Sequence, residues 1–304
     1  MKYEVFLSEI KKGIEKLCPN DTIVLEKVVK NNALELDGLV IMKEGVCISP
    51  TVYLNNFYLE FLNGRNIESI AAEIVEMDMK SRNNIDIDPD EYTDFNKMRG
   101  KILYKLVNRE RNAKFLEGIP YREYLDFAVI YYCLVTEING GIATWIISNE
   151  MVNMWHVEEE NLFEEATRNG ERIMPHFIKN MMEMLEETFK GKDKEKEEIL
   201  AELHKAENAP VMYFVSNERK LFGASVILYP SLLVDFSKKF GSFYMLPSSI
   251  HEVIFMPDTG NIRAEELRDM VIDVNNTQVS RDEFLSNEVY YFDAQAKQLH
   301  ILNK

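Results

Sequence analysis

The sequence predicts an α+β fold in which antiparallel strand pairs, arranged as hairpins and a meander, are flanked by amphipathic helices. Three observations lead there. Strand-like runs come mostly in neighbouring pairs joined by short turns, the habit of antiparallel sheets rather than of a doubly wound parallel one. Several other segments repeat apolar residues at steps of three and four, as helices with one buried face do. The 304 residues are 46% hydrophobic and 28% charged, enough apolar material to build a core and unlike a disordered chain.

The first element is an amphipathic helix with Phe6, Ile10, Ile14 and Leu17 on one face. Cys18-Pro19-Asn20-Asp21 stops it, because proline disfavours helical geometry in the residue before it. Thr22 to Lys30, rich in Ile and Val, is a strand. Asn31-Asn32 turns the chain, since Asn tolerates positive φ, into a second strand through Leu34, Leu36, Val40 and Ile41. Glu44-Gly45 turns it again into Val46-Cys47-Ile48, which completes a three-stranded meander. Ser49-Pro50 reads as an N-cap with proline at the first helical position, where no backbone donor is missed. Leu54, Phe57, Tyr58 and Phe61 form the apolar face of that helix, and Asn63-Gly64 ends it. Ile67, Ile70, Ala71, Ile74 and Val75 mark a further helix, and Ser81 to Asp94 is a polar, acidic, exposed connection.

Lys101 to Val107 reads as a strand, and Phe127 to Thr136, apolar, β-branched and aromatic, as a buried one. Asn139-Gly140 is a two-residue hairpin turn leading to a return strand over Ile142 to Ile147. Ser148 caps a helix over Asn149 to His156, and the chain stays helical to about Pro210, with Met174, Phe177, Met181 and Leu185 as an apolar stripe. Lys192 to Glu198 alternates charge as solvated helix surfaces do. Strands over Val211 to Ser216 and Leu221 to Tyr229 flank the turn Asn217-Glu218-Arg219-Lys220. Pro230 opens a helix through Leu233, Phe236 and Phe240, closed by Gly241. Phe243 to Leu246 and His251 to Met256 are strands around Pro247-Ser248-Ser249, and Leu267, Met270, Val271 and Val274 mark another helix. Ser280 and Glu283 have capping-box spacing, and Glu288 to Asp293 with Gln298 to Leu302 makes a terminal hairpin. The expected division is 1–110 and 111–304, with a boundary within 100–118, as separate domains or as two parts of one shared core.

Charge narrows the function. Lys plus Arg total 35 against 51 Asp plus Glu, a net charge of −16. Such a surface repels phosphate backbones and anionic headgroups, so neither nucleic acid nor membrane is the expected partner. The one dense basic stretch, Lys97, Arg99, Lys101, Lys105, Arg109, Arg111 and Lys114, reads as solvated or paired with the acidic helices. Cys18, Cys47 and Cys133 are scattered and form no CxxC, which indicates neither a disulfide framework nor a cysteine-rich zinc site. Acidic residues interrupt the N-terminal apolar positions before a secretory h-region forms. A cytoplasmic protein is expected.

The most unusual polar cluster is Leu246-Pro247-Ser248-Ser249-Ile250-His251-Glu252, where one strand ends and the next begins. Ser248, Ser249, His251 and Glu252 are therefore the candidate catalytic residues: two hydroxyls, an imidazole and a carboxylate at a sheet edge. The plainer account is favoured, a Pro-Ser turn that caps backbone groups, because a nucleophile and its base normally converge from different elements. No two of His156, His176, His204, His251 and His300 stand at helical i, i+4 spacing, so no metal and no cofactor is expected. Asp86-Ile87-Asp88-Pro89-Asp90 begins like a calcium loop, but Glu91 stands where glycine is needed and Lys97 where the bidentate Glu belongs. There is no GxGxxG, phosphate loop or GxSxG elbow. Met181, Met182 and Met184 read first as core packing and second as an adaptable binding surface.

The blocks Val28-Val29-Lys30-Asn31-Asn32, Ile48-Ser49-Pro50-Thr51-Val52-Tyr53-Leu54 and Leu246 to Val253 resemble those of a Firmicutes (clostridial) protein family of unknown function, domain of unknown function number 5688. The resemblance spans nearly the whole chain, with Pro247-Ser248-Ser249-Ile250-His251-Glu252 its most specific part. It implies a bacterial cytoplasmic setting and transfers no catalytic residue. The expected function is a non-catalytic binding or interaction protein whose partner is another protein or a small ligand. The alternative is a hydrolase centred on the Pro247–Glu252 loop.

Overall fold

A computed structural model describes residues 1–44, 49–82, 89–138, 141–189 and 210–302. The architecture is α+β, and the strands of its sheets pair antiparallel along β1-β2-β3, β4-β6-β5 and the six-stranded sheet. The chain forms two compact units, Met1–Met98 with Leu134–Trp145, and Arg99–Cys133 with Ile146–Lys304.

In the first unit, helix α1 (Tyr3–Leu17) precedes strands β1 (Thr22–Lys30), β2 (Leu34–Met42) and β3 (Thr51–Tyr53), paired in that order. Helices α2 (Asn55–Leu62), α3 (Ile67–Arg82), α4 (Pro89–Tyr92) and α5 (Phe95–Met98) follow. Phe6, Ile10 and Ile14 of α1 are fully buried with Ile70 and Ile74 of α3, as their spacing predicts. Gly13 lets the two helices approach closely: a Cβ there would stand 3.2 Å from that of Ala71. Leu17 departs from the stripe and is 52% exposed, its place in the core taken by Cys18. The Asn31-Asn32 turn forms by the expected route, with Asn32 at φ 58°.

Three expectations in this unit change. The third strand of the meander is β3, and the strand predicted at Val46-Cys47-Ile48 lies outside the described residues. Ser49-Pro50 does not open a helix, since β3 pairs with β2 through Val52 opposite Leu39, and α2 begins only at Asn55. Sheet pairing outweighs the capping signal here. Part of the predicted connection is helical, as α4.

The second unit contains β4 (Ile102–Asn108), the short α6 (Ala113–Leu116), β5 (Tyr121–Tyr124) and the inner part of β6 (Phe127–Ile138), with β6 between β4 and β5. The outer end of β6 and most of β7 (Gly141–Ile146), which pairs with it, belong to the first unit. Helices α7 (Asn149–Trp155) and α8 (Glu159–Ile173) come next, α7 capped by the Ser148 hydroxyl, which accepts from the Met151 amide. Then follow β8 (His176–Asn180), α9 (Met181–Phe189), β9 (Tyr213–Asn217), α10 (Leu232–Phe240), β10 (Phe243–Pro247), β11 (Val253–Pro257), α11 (Ala264–Thr277), β12 (Tyr290–Asp293) and β13 (Gln298–Ile301). Six of these strands make one sheet in the order β13-β12-β10-β11-β9-β8.

The stripe Met174, Phe177, Met181, Leu185 is broken by β8, which takes Phe177 into the sheet. Leu221 to Tyr229 is not a strand: Gly223–Leu228 is a 3-10 helix entered through Phe222 at φ 52°. Ser280 and Glu283 close a turn, with the Glu283 amide donating to the Ser280 carbonyl at 3.1 Å. The Asn139-Gly140 turn, Lys192–Glu198 and His204 lie outside the described residues, as does most of the acidic loop that begins at Asp86.

Residue alternation gives the six-stranded sheet two faces. Phe243, Phe255 and Phe292 point to one, where Phe236 of α10 packs 4.7 Å from Phe243 and 5.0 Å from Phe255. Leu246 and Met256 point to the other and cluster with Leu267 and Val271 of α11. Tyr290 is wholly buried on the first face, 5.1 Å from Phe127 of β6. Its hydroxyl donates to the Asp126 carboxylate, and the Ser286 hydroxyl donates to the same carboxylate at 2.7 Å.

Tyr290→Phe removes one of two hydroxyl donors from a half-buried carboxylate. It should cost about 1–3 kcal/mol in urea denaturation, whereas a loss below about 0.5 kcal/mol would show that water replaces the bond.

Burial also raises the ionisation of Tyr104, Tyr131, Tyr132, Tyr229 and Tyr290 well above the ordinary tyrosine range. A group raised in the folded state stabilises below its unfolded pKa, near 10 for Tyr, and that stability falls as pH climbs through and above it. Folding stability should therefore drop steeply above about pH 10, with a slope worth several protons; a slope under one proton contradicts this.

Candidate functional site

The loop from Pro247 to Glu252 leaves β10 and must turn into β11 within a few residues, so its backbone groups lose sheet partners and need others. Pro247 and Ser249 are buried, and Ser248, His251 and Glu252 are half-buried. The Ser249 hydroxyl donates to Glu252 Oε1 at 2.8 Å and accepts from the His251 amide at 2.9 Å. The Ser249 amide donates to the Glu252 carbonyl at 3.2 Å. Ser249 and Glu252 thus brace one tight turn. The structure brings these two candidate residues together side chain to side chain.

His251 is held from elsewhere in the chain. Its Nδ1 accepts from the Phe222 amide at 3.1 Å, and its ring stacks on the Phe222 ring at 5.7 Å with planes 13° apart. Its carbonyl accepts from the Ser216 hydroxyl at 2.7 Å. Nε2 stands 3.7 Å from Glu283 Oε1, and the Ile250 amide donates to the Glu283 carbonyl at 2.8 Å. An N–H pointing at Nδ1 occupies that lone pair, so the neutral ring carries its proton on Nε2, facing the carboxylate. No lone pair is then left to take a proton from a serine. The Ser249 proton is directed at Glu252 instead.

Phe222 supplies this support from an unusual backbone. It lies at φ 52°, with Lys105 Nζ 4.1 Å over its ring and Tyr132 packed edge-on at 5.3 Å. The next residue has no room for a side chain. A Cβ on Gly223 would fall 2.1 Å from Ser216 Oγ, 2.4 Å from the His251 carbonyl oxygen and 2.9 Å from the Asn217 amide nitrogen.

Outside the loop lies a trough with two ends. The polar end, about 520 Å³ and open to solvent, is lined by Lys220, Ser248, Ser249, His251, Glu252 and Glu283, with Gln278 of the segment after α11. The apolar end, about 310 Å³, lies between Met181 of α9 and Met270 and Val271 of α11, over Phe214, Leu246 and Ile254 of the sheet. Ser248 and Val274 border both ends. Met212 lines the apolar end as well. The sheet makes its floor by alternation: Phe214, Leu246 and Ile254 share the face that α11 covers only in part.

Inspection of the linear sequence singled out the loop but not Phe222, Gly223, Glu283 or the methionines Met212 and Met270. A glycine inside an apolar run, as at Gly223, is the signal that a backbone approaches closely there. Nothing local marks Phe222, and at Glu283 the local signal is only a capping-box spacing with Ser280; both reach the loop through tertiary packing.

Elsewhere the basic stretch is engaged with neighbours: Arg99 with Glu165, Arg109 with Glu123, and Arg111 stacked 3.5 Å over Phe284. Burial pushes the Cys133 thiol up to about 12, so it stays protonated and unreactive at neutral pH. Among the described residues no group of three or more His, Cys, Asp or Glu could hold a metal ion, and no helix is long and apolar enough to cross a membrane.

Gly223→Ala should destabilise the protein by roughly 2–3 kcal/mol, because the clashing atoms include two backbone atoms that cannot rotate away. Thermal unfolding of the variant checks this, and an unchanged midpoint would mean that the junction is not packed as described.

Among curated proteins and solved structures, none matches this chain significantly. The model of a family of unknown function, DUF5688, matches residues 3–294, which takes in most of both compact units, the Pro247–Glu252 loop and the described lining of the trough. The chain belongs to that family.

Proposed function

We propose that this chain is a non-catalytic binding protein and that its binding region is the trough between α9, α11 and the Pro247–Glu252 loop. The observation that carries the reading is the Phe222 amide on His251 Nδ1. That bond, with the Ser249–Glu252 pair, engages His251 Nδ1, the Ser249 hydroxyl and Glu252 Oε1 in holding the loop's own shape. What remains facing outward is a shaped surface, apolar at one end and polar at the other, of a size that binding sites commonly have. Methionine walls suit such a role, since unbranched, polarisable side chains adapt to different shapes.

A cytoplasmic, bacterial setting belongs to the same reading. The buried free thiols Cys18 and Cys133 and the net charge of −16 support the compartment, and the motif resemblance supports the bacterial origin. That charge also favours a protein or small-molecule partner over nucleic acid or a membrane surface.

The hydrolase reading keeps one supporting observation, the approach of Glu283 to His251 from a distant element at 3.7 Å. Two measurements separate the readings. A neutral apolar dye, Nile red, should bind saturably, and the double variant Met270→Gln/Val274→Gln should weaken it about tenfold while retaining the wild-type unfolding midpoint. Both side chains are exposed, at 41% and 37%, so the variant should fold. A fluorophosphonate serine probe should leave the protein unlabelled. Labelling that disappears in Ser248→Ala or Ser249→Ala would establish the hydrolase and end the binding proposal.

A further inference from the structure

A second pocket, of about 280 Å³, lies on the face of the six-stranded sheet opposite the trough, where Phe292 lines it together with residues of β5, β6, α8 and α10. Helix α10 buries Leu232 and Phe236 and leaves Leu233 and Val234 half-buried at this pocket. Strand alternation puts Arg122 and Tyr124 of β5 on one face, with Val129 of β6 directly opposite Arg122. The walls are apolar, and the polar side chains among them are of one kind. The Tyr124 hydroxyl has no hydrogen-bond partner among the described residues, and burial raises its ionisation above the ordinary tyrosine range. Lys297, in the turn between β12 and β13, has no ion pair among the described residues, and the Asp293 carboxylate of that turn accepts instead from the Gln295 and Ala296 amides. Arg122 lies 4.0 Å over the Phe163 ring and is balanced by Glu159 and Glu160, which engage Nε and Nη2 and leave Nη1 without a partner among the described residues. The Tyr229 hydroxyl is already spent on the Met174 carbonyl at 2.8 Å. In a chain with 51 Asp plus Glu, no carboxylate or amide side chain stands among the described lining residues. Apart from the phenol oxygen, this apolar pocket offers donors and no side-chain acceptor, so it suits a ligand that brings acceptors of its own.

We infer that this pocket binds a small apolar carboxylate, at a site separate from the trough. The apolar body of the ligand seats among Val129, Phe163, Leu233 and Phe292, and its carboxylate accepts from the Tyr124 hydroxyl, the Lys297 ammonium and Arg122 Nη1. Hydrogen bonds between charged partners are roughly twice as strong as neutral ones, which favours the anion over the matching amide. An ammonium ligand would meet Lys297 and Arg122 with no lining carboxylate to receive it. A volume at the low end of the roughly 300–1,000 Å³ usual for ligand pockets limits the ligand to a single ring or a short branched chain. Inorganic phosphate would leave the apolar walls unused. The two pockets lie on opposite faces of one sheet, so either can be lost without the other.

The test is isothermal titration of the whole chain with 3-phenylpropionate, with 3-phenylpropylamine, 3-phenylpropionamide and acetate as controls. 3-Phenylpropionate should bind one to one, and each control at least about tenfold more weakly. Tyr124→Phe and Lys297→Gln should each weaken it several-fold and together by about tenfold or more, with the wild-type unfolding midpoint retained. Met270→Gln/Val274→Gln, in the trough, should leave it unchanged. Absence of saturable binding would overturn the inference, and so would amine or amide binding as tight as that of the carboxylate. Binding that survives both Tyr124→Phe and Lys297→Gln, or that is lost in Met270→Gln/Val274→Gln, would place the ligand elsewhere and overturn it equally. The reading of the trough stands or falls on the Nile red measurement, whichever of these results is obtained.

Discussion

A chain that leaves a sheet must find partners for every backbone group it takes out of the ladder, and the Pro247–Glu252 loop meets that demand with atoms from three other segments. Ser216 at the end of β9 donates to the His251 carbonyl, the Phe222 amide to His251 Nδ1, and the Ile250 amide to the Glu283 carbonyl. Inside the loop the Ser249 hydroxyl joins the Glu252 side chain to the His251 amide. A buried polar group without a partner costs about 1–3 kcal/mol, so this set of bonds sets the loop's conformation rather than decorating it. The closeness of the junction leaves no space at position 223 for anything larger than hydrogen.

The same constraint shapes the surface. Because the loop is pinned from behind, Ser248, His251 and Glu252 are presented at a fixed height beside α11, and among the described residues the sheet face next to them is only partly covered. One face of the six-stranded sheet is sealed by aromatic packing through Phe236, Phe243, Phe255 and Phe292. The other carries a helix that covers Leu246 and Met256 and leaves Phe214 and Ile254 lining a depression. Apolar surface left facing water is a cost to a fold unless something uses it, which is the physical ground for proposing it as a contact surface.

Residues that look reactive together in a linear sequence can be structural in three dimensions. A serine, a histidine and a glutamate within four positions suggest chemistry, yet in this turn the Ser249 hydroxyl is bonded to the Glu252 side chain and to the His251 amide. The burial of Tyr290 beside Asp126 makes a parallel point: side chains from distant segments meet there, and their effect is to tie strand β12 to the start of β6. Neither the turn's partners nor this pair could be read from spacing, because each joins residues separated by tens of positions.

Periodicity by itself determined the elements whose burial is one-sided and continuous. The α1 face of Phe6, Ile10 and Ile14, the apolar run of β6, the Ser148 cap and the terminal hairpin all follow from local spacing, because one stretch of chain contains the whole signal. Segments whose local preference competed with pairing or packing went to the tertiary structure. Thr51–Tyr53 became a strand because β2 offered an edge, His176–Asn180 because β9 did, and Gly223–Leu228 coiled because its backbone had to pass against Ser216 and His251. The trough belongs to this second group entirely. Its floor, its methionine wall and its polar end come from segments spread between residues 181 and 283, and only the packing of α9 and α11 on the sheet brings them to one place.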